Sequence, residues 1–161
     1  MESNDILVAL RRIMRAIDLH SKRIERRAGL TVPQLLVMKA LHGAEPLAVG
    51  EIARRIHLSQ GTVTAVLDRL AARDLVARTP DTADRRRVSV RLTAQGHARL
   101  VDAPPLMQDE FTRQFERLDG WEQKMLTAAV ERIAALMDAQ EVDASPILQV
   151  GEIVPQEEPS P

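Results

Sequence analysis

Apolar residues recur along most of this chain at helical spacing, and only one short stretch switches to the two-residue period of a strand. Leu7, Leu10, Met14, Ile17 and Ile24 lie along one side of a predicted helix over residues 5–28, which Gly29 closes. Thr31 and Gln34 have the spacing of a capping box and start a second helix running to about His42. Ile52, Ala53 and Ile56 mark one side of a short third helix, interrupted by His57-Leu58-Ser59. Ser59 is a good N-cap for a fourth, because its hydroxyl can accept from the free N–H groups of the next turn. That helix runs to about Arg73, with Val63, Val66, Leu67 and Leu70 forming one buried stripe.

The period then changes. Residues 75–79 read as a strand, and Val88, Val90 and Leu92 alternate with Arg87, Ser89 and Arg91 as its hairpin partner. A further helix begins at Thr93, but Pro104-Pro105 must kink or break it, since proline removes a donor and clashes with the preceding turn. Met107, Phe111, Phe115 and Leu118 resume a helical stripe. Asp119 and Glu122 cap a last helix reaching about Gln140, whose apolar face is Met125, Leu126, Ala129, Val130, Ile133 and Met137. The end, residues 145–161, is rich in Pro and Glu with a small apolar patch over 147–154. It reads as a loose tail, or as a strap lying on a partner subunit.

Opposite the buried stripe, the fourth helix presents Gly61, Ala65, Asp68 and Ala72, flanked by Thr62, Thr64 and Arg69. Three of those four are very small. A solvated face would usually carry Lys and Glu, whereas a helix lying in a DNA major groove needs small residues that let its backbone come close. Two packed helices joined by a short turn also occur in many proteins that never touch DNA, so the pair alone does not decide. The hairpin adds weight. Its loop, residues 80–86, opens with turn formers and leads into Arg85-Arg86-Arg87, three guanidiniums at a projecting tip. Arginine makes bidentate phosphate contacts and enters narrow minor grooves, where the negative potential is strongest.

Charge at first argues the other way, because the 161 residues sum to a formal −1. That figure averages two unlike halves. Residues 1–100 hold 18 Lys/Arg against 10 Asp/Glu, a net of +8, and residues 101–161 hold 4 against 13, a net of −9. The basic half carries the helix pair and hairpin, which is the distribution that matters for a phosphate partner. With no Tyr, two Phe and one Trp, there is no aromatic platform for stacking single-stranded bases. Zero cysteines exclude disulfides, thiolate metal sites and cysteine-based redox sensing within this chain. No apolar run approaches the ~18 to 20 residues needed to span a bilayer, and the N-terminal residues lack signal-peptide order, so a cytoplasmic location without membrane contact is expected.

The stretch LAVGEIARRIHLSQGTVTAVLDRLAARDLVAR, followed by D-x-x-D-R-R and then LTAQG, resembles the MarR family of bacterial winged-helix transcription regulators. By motif the resemblance covers about residues 30–96. It implies a mostly α fold with a small β-hairpin, a winged helix-turn-helix flanked by N- and C-terminal dimerisation helices. The corresponding division is 1–30 for the N-terminal dimerisation helix, 31–100 for the DNA-binding domain, 101–141 for the C-terminal dimerisation helices and 142–161 for the tail. In the family the second helix of the motif reads the major groove and a wing arginine enters the minor groove. Carried over by position, the DNA-binding residues are Ser59, Gln60, Gly61, Thr62, Thr64, Ala65, Asp68 and Arg69 on the helix, with Asp84, Arg85, Arg86 and Arg87 on the wing. The opening helices also look like the subgroup tied to compatible-solute (ectoine-type) operons, for which ionic strength would be the signal.

The terminal helices carry more apolar surface than a thin monomer can cover, which predicts a homodimer. The expected partners are therefore double-stranded DNA and a second copy of the chain. A small-molecule effector is implied by resemblance alone, in a pocket between the first helix, the second and the base of the Thr93 helix. Arg15, His20 and His42 are its candidate polar groups. No cofactor is expected. His20, His42, His57 and His97 fall on four separate elements without metal-pair spacing, no glycine-rich phosphate loop exists, and no nucleophile sits with a base, so an enzyme is not predicted. Met14, Met38, Met107, Met125 and Met137 lie on apolar stripes and read as core filler. The leading expectation is a repressor on a pseudo-palindromic duplex, relieved by a ligand or an ionic signal. The alternative of another class is a winged helix used purely as a protein-interaction module.

Overall fold

A computed structural model describes residues 3–44, 46–80 and 88–139. The first helix, α1 (Ser3–Ala28), ends where Gly29 adopts a φ of +60°, a left-handed conformation that glycine enters at no steric cost. Thr31 then caps α2 (Val32–Leu41). Its hydroxyl accepts from the Gln34 N–H at 3.4 Å while the Gln34 side chain accepts from the Thr31 N–H at 3.0 Å, the reciprocal pair that the spacing predicted. A two-residue strand, β1 (Leu47–Ala48), leads into α3 (Val49–Ile56). His57, with a φ of 53°, turns the chain into α4 (Gln60–Ala71).

Strands β2 (Val76–Pro80) and β3 (Val88–Leu92) form the hairpin, pairing Val76 with Leu92 and Pro80 with Val88. The sheet has three strands rather than two, in the order β1-β3-β2, because Leu47 and Ala48 pair with Val90 and Ser89. Three helices complete the fold: α5 (Ala94–Val101), α6 (Met107–Phe115) and α7 (Gly120–Leu136).

The core lies between α2, α3, α4 and the inner face of the sheet, where Val37, Met38, Ile52, Val63, Leu67, Leu70 and Val90 are fully buried. Ile24, at the far end of α1, reaches it. So does Leu106, only 2 % exposed. The helix that begins after Thr93 stops at Val101, and the chain passes Pro104-Pro105 before α6 starts. The prolines thus break the helix outright, and the redirected chain drops Leu106 into the core. A Lys39–Asp109 ion pair then ties the first turn of α6 to α2.

Beyond Leu106 no residue of α6 or α7 is buried. The methionine expectation fails for the same reason. Met38 is core, but Met14, Met125 and Met137 are each more than half exposed, because none of the described residues packs over the outer stripes of α1 and α7. The predicted tail and the hairpin tip lie outside the described residues. No helix of the described residues is long and apolar enough to cross a membrane.

A candidate nucleic-acid interface on α4 and the hairpin

α4 is held from behind by Val63, Val66, Leu67 and Leu70, all buried, so the helix cannot rotate about its own axis without emptying the core. That fixes what faces out. Ser59, Gln60, Gly61, Thr62, Thr64, Ala65, Asp68 and Arg69 are all exposed, and a Cβ added at Gly61 would stand 3.9 Å from Ser59 Oγ, in ordinary contact. Ser59 caps the helix, accepting from the Thr62 N–H at 3.1 Å, and its hydroxyl lies 2.8 Å from that of Thr62. Thr64 donates its hydroxyl proton to the Gln60 carbonyl at 2.8 Å. Both threonine hydroxyls are therefore oriented by the helix itself, and each oxygen keeps a lone pair for a further donor.

The side chain of Gln60 does not simply project outward. Its Nε2 lies 3.0 Å from where a Cβ on Gly50 would stand, so the absence of a side chain at Gly50 lets α4 begin close against α3. Ala48, Val49, Gly50, Glu51, Arg54, Gln60 and Val88 line an open hollow of about 610 Å³ between the starts of α3, α4 and β3. Ala48 gives α3 no side-chain cap at the positive end of the helix dipole.

Arg78 joins the face without having been singled out from the sequence. Its Nη2 lies 2.7 Å from Asp68 Oδ1 and donates to the Thr64 carbonyl at 3.4 Å, binding β2 to the outer side of α4. The readable signal was parity, since Arg78 stands two residues from buried Val76 and so on the strand face that meets the helices. Asp68 is consequently not a free carboxylate on the outer face of α4. The pair places one guanidinium beside the small-residue stripe. Asp84, Arg85, Arg86 and Arg87 lie outside the described residues; what is described is the paired base of their hairpin, down to Pro80 opposite Val88.

Arg15 and His42, two of the three effector candidates, line separate hollows. Arg15 pairs with Asp18 at 3.1 Å and lines a shallow depression of about 570 Å³ along α1 with Val8, Arg11, Arg12, Ala16 and Leu19. His42 lines a separate one of about 230 Å³ between α2 and α5, with Lys39, Leu100 and Val101. His20 lines neither of these two, and its Nε2 is buried with no partner among the described residues. His42 and His97, far apart in sequence, bring their rings edge to face with centroids 5.7 Å apart. Among the described residues no group of three or more His, Cys, Asp or Glu is placed to hold a metal ion.

Residues 30–88 match the model of the MarR family. The chain is similar to the HTH-type transcriptional repressor MdtR of Bacillus subtilis, 31% identical over 140 residues, which cover 87% of this chain and 88% of the relative. Among solved structures it is similar to the PcaV transcriptional regulator of Streptomyces coelicolor in complex with its natural ligand, with 25% identity and a TM-score of 0.57 over 80% of this chain and 91% of that one. It is similar also to BpsR of Bordetella bronchiseptica, with 26% identity and a TM-score of 0.56 over 81% and 98%. The helix pair, the three-stranded sheet and these similarities agree, and the chain belongs to the MarR family of winged helix-turn-helix transcription regulators rather than to any class of enzyme.

Proposed function

We propose that this protein is a homodimeric repressor that binds a pseudo-palindromic DNA duplex in the cytoplasm, with α4 in the major groove and Arg85, Arg86 and Arg87 at the adjacent minor groove. The observation that carries this reading is the exposed face of α4. Gly61 and Ala65 let the helix backbone approach base edges, and Gln60, Thr62 and Thr64 supply donors and acceptors near its N-terminal end, where a recognition helix penetrates deepest. Residues 31–100 are then the DNA-binding domain, and 1–30 with 101–141 are the dimerisation helices. Support for the second copy is the apolar surface left uncovered on those helices: Leu7, Ile13 and Met14 on α1, Phe111 on α6, and Trp121, Met125 and Val130 on α7.

Effector control belongs to the same reading. The BpsR structure concerns regulation of its DNA binding by 6-hydroxynicotinic acid, and PcaV was solved with its natural ligand. By analogy the depression between α2 and α5, with His42 and Lys39 on its wall, is the place where a small anion would meet cationic or donor groups. Selecting bound duplexes from a random pool tests the main claim. An enriched inverted repeat is the expected result, and a pool without enrichment would refute it.

A further inference from the structure

Every helix ends in carbonyl groups that its own N–H groups cannot reach. At the end of α1 two of them are taken by guanidiniums from distant parts of the chain. Arg73, in the turn after α4, donates from Nη1 to the Gly29 carbonyl at 2.7 Å. Arg99, on α5, donates from Nη1 to the Ala28 carbonyl at 3.3 Å. Both cations also meet the negative end of the α1 dipole.

The turn that carries Arg73 is itself fastened. The Asp74 N–H donates to the Ala71 carbonyl at 2.9 Å and the Leu75 N–H to the Leu70 carbonyl at 3.0 Å, which holds the turn to α4. The Thr93 hydroxyl donates to the Asp74 carbonyl at 2.6 Å and its N–H to the Leu75 carbonyl at 3.1 Å, which holds it to the start of α5. Gly96 lets α5 come so close that a Cβ there would stand 2.1 Å from the Leu75 oxygen. The end of α4, the start of β2 and α5 therefore form one block, and Arg73 and Arg99 join that block to α1.

We propose that Arg73, seconded by Arg99, is a positioning residue that sets the angle between α4 and α1 and so the half-site spacing the dimer accepts. The proposal rests on the dimeric DNA-binding reading. α1 carries exposed Ile6, Leu7, Ile13 and Met14, the face that a second copy would cover, and α4 carries the groove-facing residues. A rotation at the joint between them displaces one recognition helix relative to the other. Arginine suits the joint because its planar fork is pre-organised and loses little freedom for each hydrogen bond formed. A mere helix cap would supply stability and leave the spacing preference alone, and this difference is what can be measured.

The test uses the full chain. Because it has no cysteine, Ala65→Cys places one spin label on each recognition helix, and pulsed EPR reads the distance between labels in the free dimer. Adding Arg73→Gln should broaden that distance distribution. In unlabelled protein, Arg73→Gln should also lower, by about threefold, the affinity ratio between a repeat of optimal spacing and one lengthened by a base pair. Arg73→Lys should fall between. Sedimentation and thermal melting confirm a folded dimer, and Arg99→Gln serves if Arg73→Gln does not fold. A folded, dimeric variant with an unbroadened distribution and an unchanged ratio overturns the positioning role while leaving the DNA-binding reading intact. A chain carrying Ala65→Cys alone that gives no interlabel distance, or a wild-type chain that binds no inverted repeat, overturns that reading and the positioning role together.

Discussion

At the scale of single residues, small residues carry opposite consequences at different places. Gly61 and Ala65 are both exposed, and a Cβ at Gly61 would meet only Ser59 Oγ, in ordinary contact at 3.9 Å, so a larger residue at either place is not forced into the core. Ala65→Leu should therefore keep the circular dichroism spectrum and melting temperature of the parent while gel-shift titration shows binding to the selected repeat abolished. Full binding by that variant would mean that this face does not enter the groove. Gly96 is the reverse case. Even a methyl group there must displace the Leu75 carbonyl, which already accepts from the Thr93 N–H, so Gly96→Ala should cost about 1–3 kcal/mol in denaturant unfolding despite the better helix propensity of alanine. The motif LTAQG showed Gly96 as part of a resemblance, and only the packing of α5 on the Leu75 backbone, just before β2, explains it physically.

At the scale of elements, what was legible depended on how far apart the partners lie. Capping pairs such as Thr31 with Gln34 and Ser59 with Thr62 span three residues, and the break at Pro104-Pro105 is a local steric fact. All could be read directly. Strand β1 could not, because two residues have no period and Leu47 finds its partner Val90 only when the sheet assembles. The break has a consequence that also needed the fold, since it lets α6 begin with Leu106 inside the core. Leu106→Ala should destabilise the protein by about 2–4 kcal/mol, the cost of deleting a fully buried leucine, and unfolding curves followed by Trp121 fluorescence and by circular dichroism should coincide. A change below about 0.5 kcal/mol, the size of an ordinary surface substitution, would show that the α5–α6 junction is not anchored there.

For the whole molecule, the near-zero total charge hides a basic half. Residues 1–100, which carry the helix-turn-helix, hold a net of +8, so affinity for the selected duplex should fall steeply with salt, each phosphate contact contributing about −0.9 to the slope of log K against log salt. A slope near zero would favour a protein-interaction module instead. The apolar stripes of α1, α6 and α7 predict that Val130→Glu, a charge set on a residue 64 % exposed in one chain, leaves the protomer folded but shifts sedimentation toward the monomer. An unshifted dimer would place the interface elsewhere.

The sequence by itself determined the periods, the caps, the breaks and the choice of residues on each helix face, because these depend on neighbours within a few positions and on backbone chemistry that every chain shares. From them follow the helix order, the hairpin, the small-residue face of α4 and the family resemblance. Tertiary structure alone decided which of several equivalent stripes became core and which stayed outside. Ile24 and Met14 lie along the same side of α1, yet one is fully buried and the other 53 % exposed, since burial is set by what packs opposite and not by the stripe. It also decided the long-range polar contacts: Asp68 with Arg78, His42 beside His97, and Arg73 on the end of α1. No spacing in the sequence encodes such pairs, because each joins elements whose relative placement is fixed only when the core closes.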